Sequence, residues 1–265
     1  MPKIRVNGIE LYYELHGPEN APVVVLSNGV LMSTASWVFQ TPVLSQHYRV
    51  LLYDCRGQWQ SDHPPAPYSM ELHADDLAAL FDALKIEKAH IAGISYGAEI
   101  SMIFAYKYPA RVRSLILAST VSQVDPILRG IIQAWIDAAK RKDADLFYAA
   151  SYPFNFAEAW IAANSQLLAQ ARARYATLDF DAVINLCEAF LQLNITAELH
   201  RIAAPTLLMV GEEDILKPRR YADIIAREIP HAEYVVIPGA GHAVCWEKWQ
   251  VFNSLVLGFL AKQAK

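Results

Sequence analysis

Cysteine is scarce in this sequence and unpaired. Cys55, Cys187 and Cys245 show no spaced-pair pattern, which excludes a disulfide framework and fits a reducing cytoplasm. Each reads as a small apolar residue. Long apolar runs are missing too. No uninterrupted stretch approaches the roughly 20 residues that span a bilayer, and Met1-Pro2-Lys3-Ile4-Arg5-Val6 lacks the apolar h-region of a signal peptide. The expectation is a cytoplasmic protein without a membrane span. No His, Cys or Asp group has zinc-ligand spacing, and no glycine-rich phosphate loop follows a strand, so no metal and no cofactor are expected. Positive charge is in deficit: 23 basic against 27 acidic residues leave a net charge of −4, which gives no electrostatic case for a nucleic-acid partner. Internal repeats and low-complexity segments are absent. Apolar side chains are plentiful, at 54% of 265 residues, enough for a substantial core in one domain.

Periodicity supplies the architecture. Buried-strand patterns fall at about residues 3–7, 10–15, 22–27, 48–53, 88–92, 113–118, 205–210 and 233–237. Helical spacing separates several of them: Leu72, Leu77, Leu80, Phe81 and Leu84 recur near a 3.6 period, and about 217–228 and 250–262 behave similarly. Strands alternating with helices predict an α/β fold with a mostly parallel sheet flanked by helices. Residues 122–197 break this rhythm, with no strand pattern but helical stretches at about 125–141, 144–150, 155–174 and 179–193. They are expected to form an inserted helical cap, leaving 1–121 and 198–265 as the core.

The strongest chemical signal is Gly93-Ile94-Ser95-Tyr96-Gly97. By chance a chain of this length holds the pattern on the order of 0.1 times, so its context matters more than its match. Lys88 to Ala92 reads as a buried strand and Ala98 to Lys107 as a helix, the strand–turn–helix setting of a nucleophile elbow. There a serine hydroxyl projects from the sheet edge, beside a helix N-terminus that favours developing negative charge. A side chain at either glycine would collide with the neighbouring strand or helix.

A nucleophilic serine needs a base, and the base an orienting acid. His242 sits in Gly239-Ala240-Gly241-His242 after a strand pattern, on a loop able to approach Ser95. His16, His47 and His231 read as surface residues and His90 as a structural strand residue. For the acid, Glu212, Glu213 and Asp214 follow the strand at 205–210, and Asp125 follows another. Acyl transfer also needs donors for an oxyanion. The backbone N–H of Tyr96, directly after the serine, is one candidate. The N–H of Val30 is the other, in the loop Asn28-Gly29-Val30-Leu31-Met32, unless Asn28 and Gly29 merely form a turn.

Over essentially its whole length the chain resembles the α/β-hydrolase superfamily. The resemblance is carried, in order, by Asn28-Gly29, Tyr53-Asp54-Cys55-Arg56-Gly57, Gly93 to Gly97, Tyr108-Pro109-Ala110-Arg111-Val112, Gly211 to Asp214 and Gly239 to His242. It implies Ser95 as nucleophile, His242 as general base and acid, Asp214 as the orienting acid, and Tyr96 with Val30 as oxyanion donors, in the chain order Ser, Asp, His. Two departures stand out. Many relatives carry His where this chain has Asn28; the Asn-containing loop resembles that of enol-lactonases, and the run from Asn28 to Trp37 also resembles bacterial 3-hydroxyacyl transferases. Gln58-Trp59-Gln60-Ser61 replaces the glycine usual in relatives, which makes Trp59 a pocket-mouth residue or a partly exposed packing residue.

The expected cap is rich in large apolar groups, among them Trp135, Phe147, Tyr152, Phe156 and Trp160. Most should pack the cap onto the core, and a few should face a cavity. Asn28, Trp59, Trp135, Tyr152 and Trp160 are the expected substrate contacts. Arg172 and Arg174 could meet a carboxylate or phosphate, or lie on a solvated helix face. Glu99 reads as helix-N-terminal electrostatics. Ligand sites are mostly apolar, so the expected partner is a small hydrophobic acyl substrate. The expected activity is hydrolysis of an ester, lactone or thioester through an acyl-enzyme on Ser95. Acyl transfer to an alcohol or carrier, carbon–carbon bond hydrolysis and non-catalytic ligand sensing are the alternatives. An aspartate nucleophile, as dehalogenases and epoxide hydrolases use, is disfavoured by the serine at the elbow.

Overall fold

The structure is a computed structural model describing residues 2–263. All of the strand patterns become strands: β1 (Lys3–Val6), β2 (Ile9–His16), β3 (Val23–Ser27), β4 (Arg49–Tyr53), β5 (Ala89–Ile94), β6 (Val112–Ala118), β7 (Thr206–Gly211) and β8 (Glu233–Ile237). They form one 8-stranded sheet in the order β1-β2-β4-β3-β5-β6-β7-β8. β2 is antiparallel to both of its neighbours, and from β4 across to β8 every pairing is parallel. The central strands β5 and β7 are buried throughout and mostly apolar, because a parallel sheet is covered on both faces.

Alternation along each strand divides the core. Val25 and Leu51 join the apolar cluster on one face, with Leu77 and Phe81 of α2 (Met70–Ala83) and Phe104 of α3 (Tyr96–Lys107). Val24, Leu26, Val50 and Leu52 join the other, with Leu44 of the short α1 (Thr41–Leu44) and Phe252, Val256 and Phe259 of α11 (Trp249–Lys262). The period of two in strands and 3.6 in helices produces this layering.

Between β6 and β7 the chain forms only helices: α4 (Pro126–Lys140), α5 (Ala144–Ser151), α6 (Glu158–Ala163), α7 (Ser165–Tyr175) and α8 (Phe180–Leu191). Pro126 takes the first turn of α4 while the Asp125 side chain accepts from Leu128 N–H; Asp179 caps α8 through Ala182 N–H, each cap satisfying an orphan donor. α4 packs on α8, and an antiparallel bridge between Gln123 and Asn194 closes the foot of the insertion. The single helical stretch expected at 155–174 is instead broken. Asn164, whose Nδ2 donates to Trp160 carbonyl at 2.8 Å, separates α6 from α7 because its side chain competes for backbone groups. The remaining helices are α9 (Arg219–Glu228) and the short α10 (Val244–Glu247). Among the described residues no helix is long and apolar enough to cross a membrane.

The chain runs from β3 to β4 on one side and returns to place β5 on the other side of β3. The loops leaving β3 and β5 therefore diverge and open a crevice at their carboxyl ends, where open α/β sheets bind ligands.

Candidate active site

β5 ends at Ile94 and α3 starts at Tyr96, so Ser95 stands alone on the turn. Its φ of 53° and ψ of −122° lie in a region that costs a side-chain-bearing residue of order 1–3 kcal/mol. The turn is held by Ser95 N–H donating to Ala118 carbonyl at 2.9 Å and by Ser95 carbonyl accepting from Ala98 and Glu99 N–H at 2.9 and 3.1 Å. A Cβ on Gly93 would sit 2.5 Å from Gly97 carbonyl oxygen, and one on Gly97 would strike the Ser27 carbonyl and lie 2.6 Å from that of Asn28. The glycines thus let strand, turn and helix close on one another.

Beyond β7, Asp214 folds its loop around its own carboxylate: Oδ1 accepts from Leu216 N–H at 3.0 Å and Lys217 N–H at 2.8 Å. Oδ2 meets His242 Nδ1 at 2.8 Å. A carboxylate oxygen accepts, so Nδ1 is the donor and Nε2 is left as the basic nitrogen. Two of the other acids are engaged elsewhere. Glu212 accepts from Gly239 N–H, and Asp125 caps α4 and pairs with Arg220.

Lys217, three residues past Asp214, had no signal in the sequence. Its buried Nζ lies 3.2 Å from Ser95 Oγ and 2.7 Å from Glu99 Oε1. Glu99 is fully buried, and the same Oε1 accepts from Thr120 Oγ1 at 2.6 Å and Val121 N–H at 3.1 Å. Burial pushes the Glu99 carboxyl up, against the downward pull of Lys217 and these donors. Glu99 is therefore the partner of a cation beside Ser95, and not only a charge near a helix end.

Ser95, Tyr96, Val30, His242 and Lys217 line one cavity of about 210 Å³. Its walls are mostly apolar, with Met32 on the β3 side and Trp135, Tyr148, Tyr152, Leu168 and Phe190 from the insertion. Trp135 and Tyr152 thus lie in the cavity wall. Asn28 does not: its Nδ2 donates to Tyr53 carbonyl and Asp54 Oδ1, and its Oδ1 accepts from Trp37 Nε1 at 2.7 Å. It braces the loop from behind. Trp59 lines a smaller neighbouring pocket, its Nε1 donating to Leu31 carbonyl. Trp160 stands one layer out, stacked on the cavity residue Phe156 at 4.4 Å between ring centroids. The two arginines separate as well. Arg172 pairs with exposed Asp145, whereas Arg174 lines the cavity, has no acidic partner among the described residues, and lies 4.6 Å over the Trp59 ring.

A further buried acid, Glu247, joins the insertion to the loop carrying His242. Its Oε2 accepts from Gly241 N–H at 3.0 Å and Ala157 N–H at 2.8 Å, and Ala243 N–H donates to Asn155 carbonyl nearby. Cys187 and Cys245 also line the cavity, but burial pushes each thiol up to about 12, so neither is a ready nucleophile.

Fold and cavity together define an enzyme scaffold of the α/β-hydrolase class. The chain belongs to the alpha/beta hydrolase fold family, whose profile matches residues 22–248. It is 34% identical over 259 residues, 96% of this chain and 97% of the other, to a protein of Stutzerimonas stutzeri provisionally named carbamate hydrolase RutD. Among solved structures it is similar to the enol-lactonase from Burkholderia xenovorans LB400, with a TM-score of 0.92 and 29% identity over 98% of this chain and 100% of that one. A thermophilic esterase from Thermogutta terrifontis, solved with malate bound, matches with a TM-score of 0.90 and 26% identity over 100% of both chains.

Proposed function

We propose that this protein is a serine hydrolase that cleaves a carboxylic ester, lactone or thioester of a hydrophobic acyl group. The observation that carries the proposal is Ser95 on its strained turn, sharing a cavity with a His242 whose Nδ1 is held by Asp214. His242 Nε2 takes the Ser95 proton as Oγ attacks the carbonyl carbon, and Asp214 stabilises the imidazolium that forms. The N–H groups of Tyr96 and Val30 receive the oxyanion. His242 then protonates the leaving group, the acyl chain stays on Ser95, and a water activated by the same imidazole releases it as a carboxylic acid.

Residues 122–197 act as the cap in this reading, and the apolar cavity wall they supply supports a hydrophobic acyl group. Arg174 at the same wall, free of acidic partners among the described residues, favours a substrate with a carboxylate at its distal end. Carbamates are the second substrate class, supported by the name of the 34% identical relative. A carbamate carbonyl would be attacked by the same atoms, but a cavity of about 210 Å³ lined by aromatic rings exceeds what a bare carbamate fills.

The test is turnover of a chain-length series of p-nitrophenyl esters beside matched carbamates, followed by fluorophosphonate labelling and mass spectrometry. Ester turnover with the label on Ser95 is the expected result. S95A should bind but not turn over; undiminished turnover by a clean S95A preparation sinks the mechanism. Product analysis with added alcohol or thiol separates hydrolysis from acyl transfer.

A further inference from the structure

Buried ion pairs are common enough as fold elements, and one that served the fold alone would have no reason to end on a reacting atom. The Lys217–Glu99 pair ends there: Nζ is 3.2 Å from Ser95 Oγ. Every N–H of the ammonium has a destination, one on Glu99 Oε1, one on Ser95 Oγ and one facing the Phe190 ring, whose centroid is 4.6 Å from Nζ. Among the described residues, this bond from Lys217 is the one that Ser95 Oγ receives. Two further features fix its direction. Lys217 N–H is anchored on Asp214, so the segment that orients His242 also aims the lysine. Glu99 is clamped in turn by Thr120 and Val121, and its Oε2 has no partner among the described residues.

We propose that Lys217 is a further catalytic residue of this site, one that donates to Ser95 Oγ and stabilises the negative charge that gathers there. The proposal rests on Ser95 being the nucleophile. In the resting hydroxyl, the Lys217 N–H occupies one lone pair of Oγ and the hydroxyl proton remains free to point to His242. As that proton moves to Nε2, Oγ changes from a neutral to an anionic acceptor, and its bond from the ammonium, already charge-assisted on the donor side, strengthens into one between opposite charges. The gain arises in the transition state and not in the ground state, which is the condition for acceleration. The same atom becomes the leaving oxygen when water cleaves the acyl-enzyme: the Oγ–acyl bond breaks, its electron pair stays on Oγ, and His242 returns the proton. Lys217 thus serves both halves of the cycle. Glu99 is its positioning residue. It balances the ammonium charge, so the pair adds a directed donor beside His242 without a net positive charge opposing the imidazolium.

The experiment is stopped-flow hydrolysis of p-nitrophenyl butyrate by the wild type, K217M and E99Q/K217M, with burst amplitude counting active sites. Loss of one donor of this type, partly balanced by Glu99, is expected to lower both acylation and deacylation rate constants about 10- to 100-fold, with KM changed less than about threefold. E99Q/K217M should be no slower than K217M, because Glu99 acts through the lysine, and its charge-free pair keeps the test valid if K217M folds poorly. A purely structural role gives a smaller burst and a lower Tm but wild-type rate constants per active site. Rate constants per site within about twofold of wild type in E99Q/K217M overturn the proposal. A wild type that shows neither a burst nor a fluorophosphonate label on Ser95 overturns the nucleophile reading and this one with it. Labelled wild type with unslowed variants overturns the role of Lys217 alone.

Discussion

Asp214 carries two obligations at the scale of single side chains. One oxygen orients His242 and the other shapes the turn that delivers Lys217. In D214N the amide nitrogen cannot accept from Nδ1, so turnover is expected to fall on the order of 10³–10⁴-fold with the fold retained, as steady-state kinetics and circular dichroism would show. Arg174 makes a gentler prediction. R174Q should raise KM for acid-ended esters about fivefold and leave neutral esters within about twofold, as expected for a partly solvated charge at a rim; equal effects on both would remove the carboxylate preference. Ser95 and His242 were singled out in the sequence by glycine-bearing turns after strand patterns, and Asp214 only by the family resemblance. Lys217 and Glu99 were not, since they meet across 118 positions of sequence. Asn28, Trp59 and Trp160 were placed on the right segments, but side-chain direction decided their contacts, and no periodicity encodes it.

Elements show the same division. Strand positions followed from short apolar runs, and α4 and α8 from helical stretches in the sequence, whose capping by Asp125 and Asp179 the structure adds. The late start of α6 and the break at Asn164 did not, because Ala157 N–H is taken by Glu247, 90 positions away, and Asn164 turns its Nδ2 back onto Trp160 carbonyl. E247L should free the Ala157 and Gly241 amides, seen as faster hydrogen exchange at both, and lower kcat about tenfold through a less well held His242. Unchanged exchange at these amides would show that the Ala243–Asn155 bond suffices alone. At the elbow, G97A places a methyl against backbone carbonyls of β3 and the loop after it, which have no rotamer to change. A loss of about 3 kcal/mol or more is expected in urea denaturation.

For the molecule as a whole, the parallel sheet was readable from strands alternating with helices, whereas the order that places β3 between β4 and β5 was not. The buried titratable groups give the whole fold a pH response. Burial, aided by Arg56, pushes His73 down to about 3, and burial with Arg113 and Lys88 nearby pushes His90 down to about 4. An unfolded histidine titrates near 6.5. Their contribution is therefore complete above that pH and is lost as pH falls towards the folded values. Asp54 has the opposite sign: burial raises it to about 6, so its folded form takes up a proton first and gains on acidification. Glu99 and Glu247, also raised by burial, share that sign. Comparing the wild type with H73Q isolates one histidine. Between about pH 6 and 4 the stability advantage of the wild type should shrink by about 1.4 kcal/mol per pH unit. A parallel pair of stability curves would mean that His73 accepts its proton in the folded state.

The bond pair on Glu247 gives the roof of the cavity and the arm bearing His242 a common hinge pin. Under the proposed reading, an acyl chain too bulky for the chamber would press that roof outward and, through the shared Glu247, draw His242 away from Ser95. Size would then be judged after entry and not at the door: an oversized guest would be admitted, held and let go unaltered.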